Sequence, residues 1–245
     1  MHEIERHVLI PIAGPFGIDL SVTNQVVLLW AAALVTFAVL ALSCRRRGLV
    51  AHGVFQNLFE GLIEFVDIHV IREGVGEKGR AWTPFLLTLF FFILFSNLLG
   101  LVPVPSHVQA ATSNINVTAA LALVVFAVTI WISIRAHGFG GFLRKFAPEG
   151  VPGWVLPLVV PIEIVSWMAK PISLAIRLFA NMLAGHAILL ALVTMAVGAG
   201  WLVKPLPLAG AVAMSAFEIF VCSVQAIIFA LLSGMYIGEA LREAH

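Results

Sequence analysis

Charge is the scarcest property of this chain. Only 11% of its 245 residues are Asp, Glu, Lys or Arg, where a soluble domain carries about 25%. That shortage leaves no room for a sizeable soluble domain. The formal net charge is +1, so the basic surplus that marks a nucleic-acid binder is missing. Cysteine is almost absent. Cys44 and Cys222 lie at or inside apolar stretches, form no CxxC and suggest no disulfide framework. Histidine is sparse where a haem anchor would need it: His186 is the one histidine deep in an apolar stretch, so a facing pair of axial ligands is lacking. No apolar stretch offers a Ser/His dyad, two aspartates or His-Glu-x-x-His, which excludes intramembrane proteolysis. The mixed-charge start, Met1 to His7, does not read as a cleaved signal peptide. The expected chemistry calls for no cofactor and no metal.

Apolar residues are what the chain has in abundance. They make up 61% of it, and the mean hydropathy is +1.04. The expected fold is all-α: a polytopic integral membrane protein with about five crossings and one amphipathic helix. Residues 1–23 read as an outer arm. Residues 24–43 form a first span, long enough for the roughly 30 Å hydrocarbon core. It ends at Arg45, Arg46 and Arg47, which sets that end in the cytoplasm by the positive-inside rule and the N-terminus outside.

Residues 53–71 differ. Gln56, Glu60, Glu64 and Asp67 recur at helical spacing against Phe55, Phe59, Leu62, Ile63 and Val66, the pattern of an amphipathic helix with a solvated acidic face. Arg72 to Arg80 reads as a charged, glycine-rich cytoplasmic loop. Residues 84–136 hold the second and third spans, joined by an outer loop with Asn114 and Asn116; Asn116 is expected to cap the third span. A further loop follows over 138–153.

Residues 155–240 hold two apolar stretches, each much longer than a single crossing needs, so both are expected to tilt strongly. They are joined by a short loop around Lys204 and form a long hairpin. With the C-terminus inside, five crossings satisfy every loop charge.

The first of these stretches carries Arg177. An arginine at mid-bilayer costs about 2.5–3.5 kcal/mol on insertion scales, so it is a functional residue by default. Glu163, Lys170 and Arg177 recur every seven residues and fall within roughly 40° of one another on a helix. Ser166 and Asn181 flank that stripe. Lys170 is expected to snorkel to the surface. The second stretch has its own stripe of Ser215, Glu218, Cys222 and Gln225. An antiparallel hairpin brings His186 level with Glu218 and Arg177 level with Gln225, because both pairs have their midpoint in the loop at residues 201–202.

The block Pro171-Ile-Ser-Leu-Ala-Ile-Arg-Leu-Phe-Ala-Asn-Met-Leu-Ala-Gly-His186 resembles the signature of subunit a of F-type ATP synthases. The resemblance extends to Ser96-Asn97-Leu98-Leu99-Gly100, to Asn114-Ile-Asn116-Val-Thr118, and to Glu218 with Gln225. It implies a membrane stator subunit that is not an enzyme by itself. Its partners would be a ring of c subunits, b-type peripheral stalk subunits, other synthase subunits and lipid, with no nucleic acid. The essential arginine of the family matches Arg177, and its polar neighbours match Asn181 and Gln225. Two half-channels would then reach a ring carboxylate. The outer would use His186, Glu218, Asn114 and Asn116; the inner would use Glu163 and Ser166. Many bacterial members resemble the reverse pair, acid first and histidine second, an exchange that looks chemically neutral. The expected location is a bacterial inner membrane, ahead of a mitochondrial one. A stand-alone cation/proton antiporter is the alternative, though the inverted repeats it predicts are not visible.

Overall fold

The computed structural model describes residues 8–10, 21–45, 54–101, 110–147 and 152–242. Six α-helices dominate: α1 (Asn24–Arg45), α2 (Val54–Val66), α3 (Thr83–Gly100), α4 (Ile115–Arg144), α5 (Leu156–Gly198) and α6 (Pro205–Arg242). Five of them, all but α2, are long and apolar enough to cross a membrane. Among the described residues strand content is confined to β1 (Val8–Ile10) and β2 (Val22–Thr23), an antiparallel pair within the stretch read as the outer arm. The rest of that arm, the Arg46-Arg47 pair and residues 102–109 lie outside the described residues.

Burial follows from which helices are surrounded. α3 is the inner post: Leu86, Phe90, Phe91 and Ile93 are fully buried in it. Its Phe-Phe-Phe run is therefore mainly core packing. α6 lies against α3 and α5, and supplies Phe229 and Ile237 to the same core. α1 and α5 keep large apolar faces exposed, among them Trp30, Leu34, Phe37, Ile172, Ile176 and Leu190. In a membrane such faces meet lipid or other subunits rather than water.

Two stretches read as loops are helical. The α2 helix continues into a π-helical stretch, Asp67–Val75, and a 3-10 turn, Glu77–Trp82. The break between them is Gly76, whose φ of +76° suits glycine. Glycine and charge misled the reading here, because this segment is held by tertiary packing and not by propensity. Its Gly74 backbone lies so close to α6 that a β-carbon on Gly238 would strike the Gly74 carbonyl oxygen. The α4 helix likewise runs on past Ile134 to Arg144, kinked at Gly138, whose φ is +71°.

The hairpin is formed by α5, with 43 residues, and α6, with 38. At 1.5 Å per residue these are about 65 and 57 Å long, twice the hydrocarbon thickness. Pro161 and Pro171 sit inside α5 without ending it, as membrane helices allow when neighbours re-satisfy the freed carbonyls. Cys222 Sγ lies 3.9 Å from Met182 Sδ, and the midpoint of that pair, residue 202, lies in the connecting loop.

Candidate functional site

The polar residues of the hairpin divide into three groups along it. The first lies toward the 198–205 turn. His186 Nδ1 stands 3.5 Å from Glu218 Oε1. Glu218 is buried, and neither of its oxygens has a hydrogen-bond partner among the described residues. Gly185 makes the room, because a β-carbon there would strike the carboxylate. The imidazole has two further contacts, each at 3.0 Å: Nδ1 to the Met182 carbonyl oxygen and Nε2 to the Gly100 carbonyl oxygen at the end of α3.

Around that end of α3 sits a set of polar contacts linking three segments. Thr112 Oγ1 donates to Asn97 Oδ1 at 2.7 Å, both fully buried. Ser96 beside them is buried and its hydroxyl has no partner among the described residues. Asn114 caps α4 by accepting from the Asn116 N–H at 3.0 Å, and its Nδ2 donates to Gln25 Oε1 on α1 at 2.7 Å. The cap is thus Asn114 and not Asn116, whose own N–H is the group being capped. Asn116 is exposed. Asn97, Thr112 and Gln25 escaped the sequence reading because their pairings join residues 15 and 89 positions apart, which no local spacing records.

The second group is at the middle of α5. Arg177 is exposed and forms no hydrogen bond or ion pair with any described residue. Asn181, one turn on, is half-buried. Gln225 on α6 is buried, and its Nε2 is without a partner among the described residues. No hydrogen bond joins Arg177 to Gln225. The arginine is exposed while the glutamine is buried.

The third group lies toward the start of α5. Glu163 is half-buried and Ser166 exposed, with no side-chain bond to a described residue. Lys170 does not simply snorkel. Its Nζ donates to both carboxylate oxygens of Glu239 on α6, at 2.7 and 2.6 Å, and lies 5.5 Å from the Tyr236 ring centroid. Lys145, beyond the α4 kink, reaches the same carboxylate at 3.6 Å and stacks over Trp167. Glu239 is a site candidate the sequence reading missed. Its signal was available: it continues the α6 stripe fourteen residues past Gln225, four helical turns on and nearly the same face.

Comparison with known proteins gives the family. The family described as ATP synthase A chain matches residues 26–238. The ATP synthase subunit a of Acidiphilium cryptum is 41% identical over 235 residues, covering 93% of this chain and 91% of its own. That of a Chelativorans species is 41% identical across 100% of this chain and 98% of its own. That of Myxococcus xanthus is 42% identical across 93% of this chain and 75% of its own. Five long apolar helices, an arginine at the centre of the fourth, and likeness of this extent say that the chain belongs to the ATP synthase A chain family.

Proposed function

We propose that this chain is the proton-translocating stator subunit of an F-type ATP synthase. The observation that carries the reading is Arg177. An arginine in the middle of an apolar helix, exposed and without an ion pair in the described part of its own chain, is poised for an anion supplied by another chain. A carboxylate on a rotating c ring meets that need. At about 4 Å and an effective dielectric of about 20, the pair gains roughly 4 kcal/mol, about three pKa units in favour of the ionised carboxylate. The arginine therefore drives the arriving ring carboxylate to release its proton. Arginine does not deprotonate in proteins, so it also blocks direct proton passage between the two sides.

Two separate water routes follow from that block. The outer route runs by Asn114 and Asn116 to Glu218 and His186, roughly 13–14 Å from Arg177 along α5. The inner route runs by Glu163 and Ser166, with Asn181 and Gln225 lining the crossing beside the arginine. A proton released on one side and gained on the other turns the ring by one subunit. A potential of 100 mV supplies about 2.3 kcal/mol per proton. The N-terminus and the 198–205 turn lie outside and the C-terminus lies in the cytoplasm, as the arginine and lysine distribution requires. The exposed faces of α5 and α6 meet the ring, and other apolar faces meet lipid and the peripheral stalk.

Reconstitution tests this reading. The chain placed in liposomes alone should carry no protons, and with the ring and stalk subunits it should carry them. Transport by the chain alone, with cation exchange, would instead make it an antiporter.

A further inference from the structure

The α4 helix doubles back near its C-terminal end. Phe126 and Phe142 both meet the Trp167 ring of α5, with centroids 4.4 and 5.6 Å away. Straight helix would part those two phenylalanines by about 24 Å. Two glycines make the reversal. Gly138 has φ of +71°, a region that suits glycine. A β-carbon on Gly141 would strike the His137 β-carbon.

The reversal brings two α4 side chains onto successive residues of α6. Lys145 reaches the Glu239 carboxylate at 3.6 Å. His137 Nε2 donates to the Ala240 carbonyl oxygen at 3.1 Å, since a carbonyl only accepts. Ala240 is fully buried and lies in the last turn of α6, where carbonyls find no N–H within their own helix. The imidazole supplies that donor. Its other nitrogen, Nδ1, is buried with no hydrogen-bond partner among the described residues. An unmet buried polar atom is costly, so an apolar side chain would fill this space better. What the imidazole adds is the bond to Ala240. The reversed segment holds α5 as well. Phe142 and Phe146 pack edge-on against Trp167, and Lys170 bonds the same Glu239 that Lys145 reaches.

We infer that His137 is a positioning residue: on the reversal at Gly138–Gly141 it clips the open end of the α5–α6 hairpin, as the 198–205 turn closes the other end. This role rests on the reading of the chain as a stator. Arg177 lies about 10 Å along α5 from Lys170, between the two closures. An arginine that attracts a passing ring carboxylate is pulled by it in turn. The carboxylate moves on cleanly only if α5 stays in place. A loose hairpin end lets Arg177 follow the ring, and rotation then slips against the stator.

The test uses the whole synthase complex in lipid. In a Cys44→Ser, Cys222→Ser background, spin labels are placed at Met168→Cys on α5 and Met235→Cys on α6, both exposed positions. Pulsed dipolar spectroscopy then reads the spacing of the hairpin's open end. His137→Leu fills the site and donates nothing. It should broaden the distance distribution and lower ATP synthesis about fivefold or more, as loss of a buried hydrogen bond shifts an equilibrium. His137→Gln keeps an N–H donor, so it should keep a narrow distribution and at least about half of native synthesis. Gly141→Ala changes no polar group but pushes on His137. It should broaden the distribution as well, and it serves should the leucine variant not assemble. A native distribution in His137→Leu or in Gly141→Ala overturns the inference. Broadening with native synthesis overturns it too, and so does a glutamine variant as impaired as the leucine one. Arg177→Ala separates this inference from the stator reading: it should stop synthesis and leave the distribution native. Synthesis that survives Arg177→Ala removes the stator reading, while the distances still decide whether His137 holds the hairpin.

Discussion

Gly185 and Glu218 face each other so closely that a β-carbon on residue 185 would collide with the Glu218 carboxylate. The glycine sits in the interior of α5, where it costs roughly 0.5–1 kcal/mol relative to alanine. Space for the acid offsets that cost. Gly185→Ala should therefore impair function instead of stabilising the helix. Overpacking of this kind costs typically about 1–3 kcal/mol, and here it displaces Glu218 from His186. ATP synthesis in inverted membrane vesicles should fall at least about tenfold with the complex assembled. Unchanged synthesis would mean that Glu218 has room to work elsewhere.

Exchanging the pair should fail in this chain. Family likeness makes His186→Glu with Glu218→His look neutral, but the two positions are built differently. A carboxylate at 186 would face the Met182 and Gly100 carbonyl oxygens, which offer it no hydrogen to accept. The double variant should support less than about a tenth of native synthesis, since the carboxylate at 186 is left among acceptors with no donor. Near-native synthesis would show that the local carbonyls rearrange freely.

Glu239 ties three helices together through Lys170 on α5 and Lys145 at the end of α4. Lys170 and Glu239 are partly exposed, so their pair is worth about 1 kcal/mol or less. Glu239→Gln removes the carboxylate that both lysines share, while Lys170→Gln removes one contact. Thermal unfolding of the detergent-purified complex should show a larger drop for Glu239→Gln than for Lys170→Gln. A double-mutant cycle on Lys170 and Glu239 should give coupling of about 0.5–1 kcal/mol. Zero coupling would mean the contact contributes nothing to stability.

Orientation is testable by labelling. In a Cys44→Ser, Cys222→Ser background, Lys204→Cys should react with a membrane-impermeant maleimide from outside. Arg144→Cys should react only after the cytoplasmic face is opened. Outside labelling of Arg144→Cys would invert the orientation proposed above.

What the sequence made legible was whatever a periodic pattern carries. Five apolar runs gave five long helices, and seven-residue spacing put Glu218 and Gln225 together on a buried face of α6. Equal midpoints were enough to place His186 level with Glu218, because two straight antiparallel helices leave only one register for each loop position. Contacts made across the bundle left no such trace. Asn97 with Thr112, Asn114 with Gln25, and Lys145 with Glu239 each depend on how separate segments meet. The 72–80 segment reads as a loop from its glycines and charges, although packing against α6 winds it into π and 3-10 turns. Nor could spacing show that the His186 ring nitrogens face the Met182 and Gly100 carbonyl oxygens, while the Glu218 oxygens have no hydrogen-bond partner among the described residues.

Arg177 carries the central claim, and its replacement tests that claim most directly. In the proposed function, Arg177→Ala removes the charge that favours ionisation of the ring carboxylate and the block between the two water routes. Assembly should persist, because losing a membrane-buried charge relieves an insertion cost of about 2.5–3.5 kcal/mol. Arg177→Lys should also fail to couple, since a desolvated lysine can lose its proton and lacks the planar fork that grips a carboxylate. The measurement is ATP synthesis in membrane vesicles, with decay of an imposed pH gradient after the soluble ATPase is stripped away. Both variants should make no ATP, and the alanine form should leak protons faster than the lysine form. Near-normal ATP synthesis with Arg177→Ala would contradict the account at its centre.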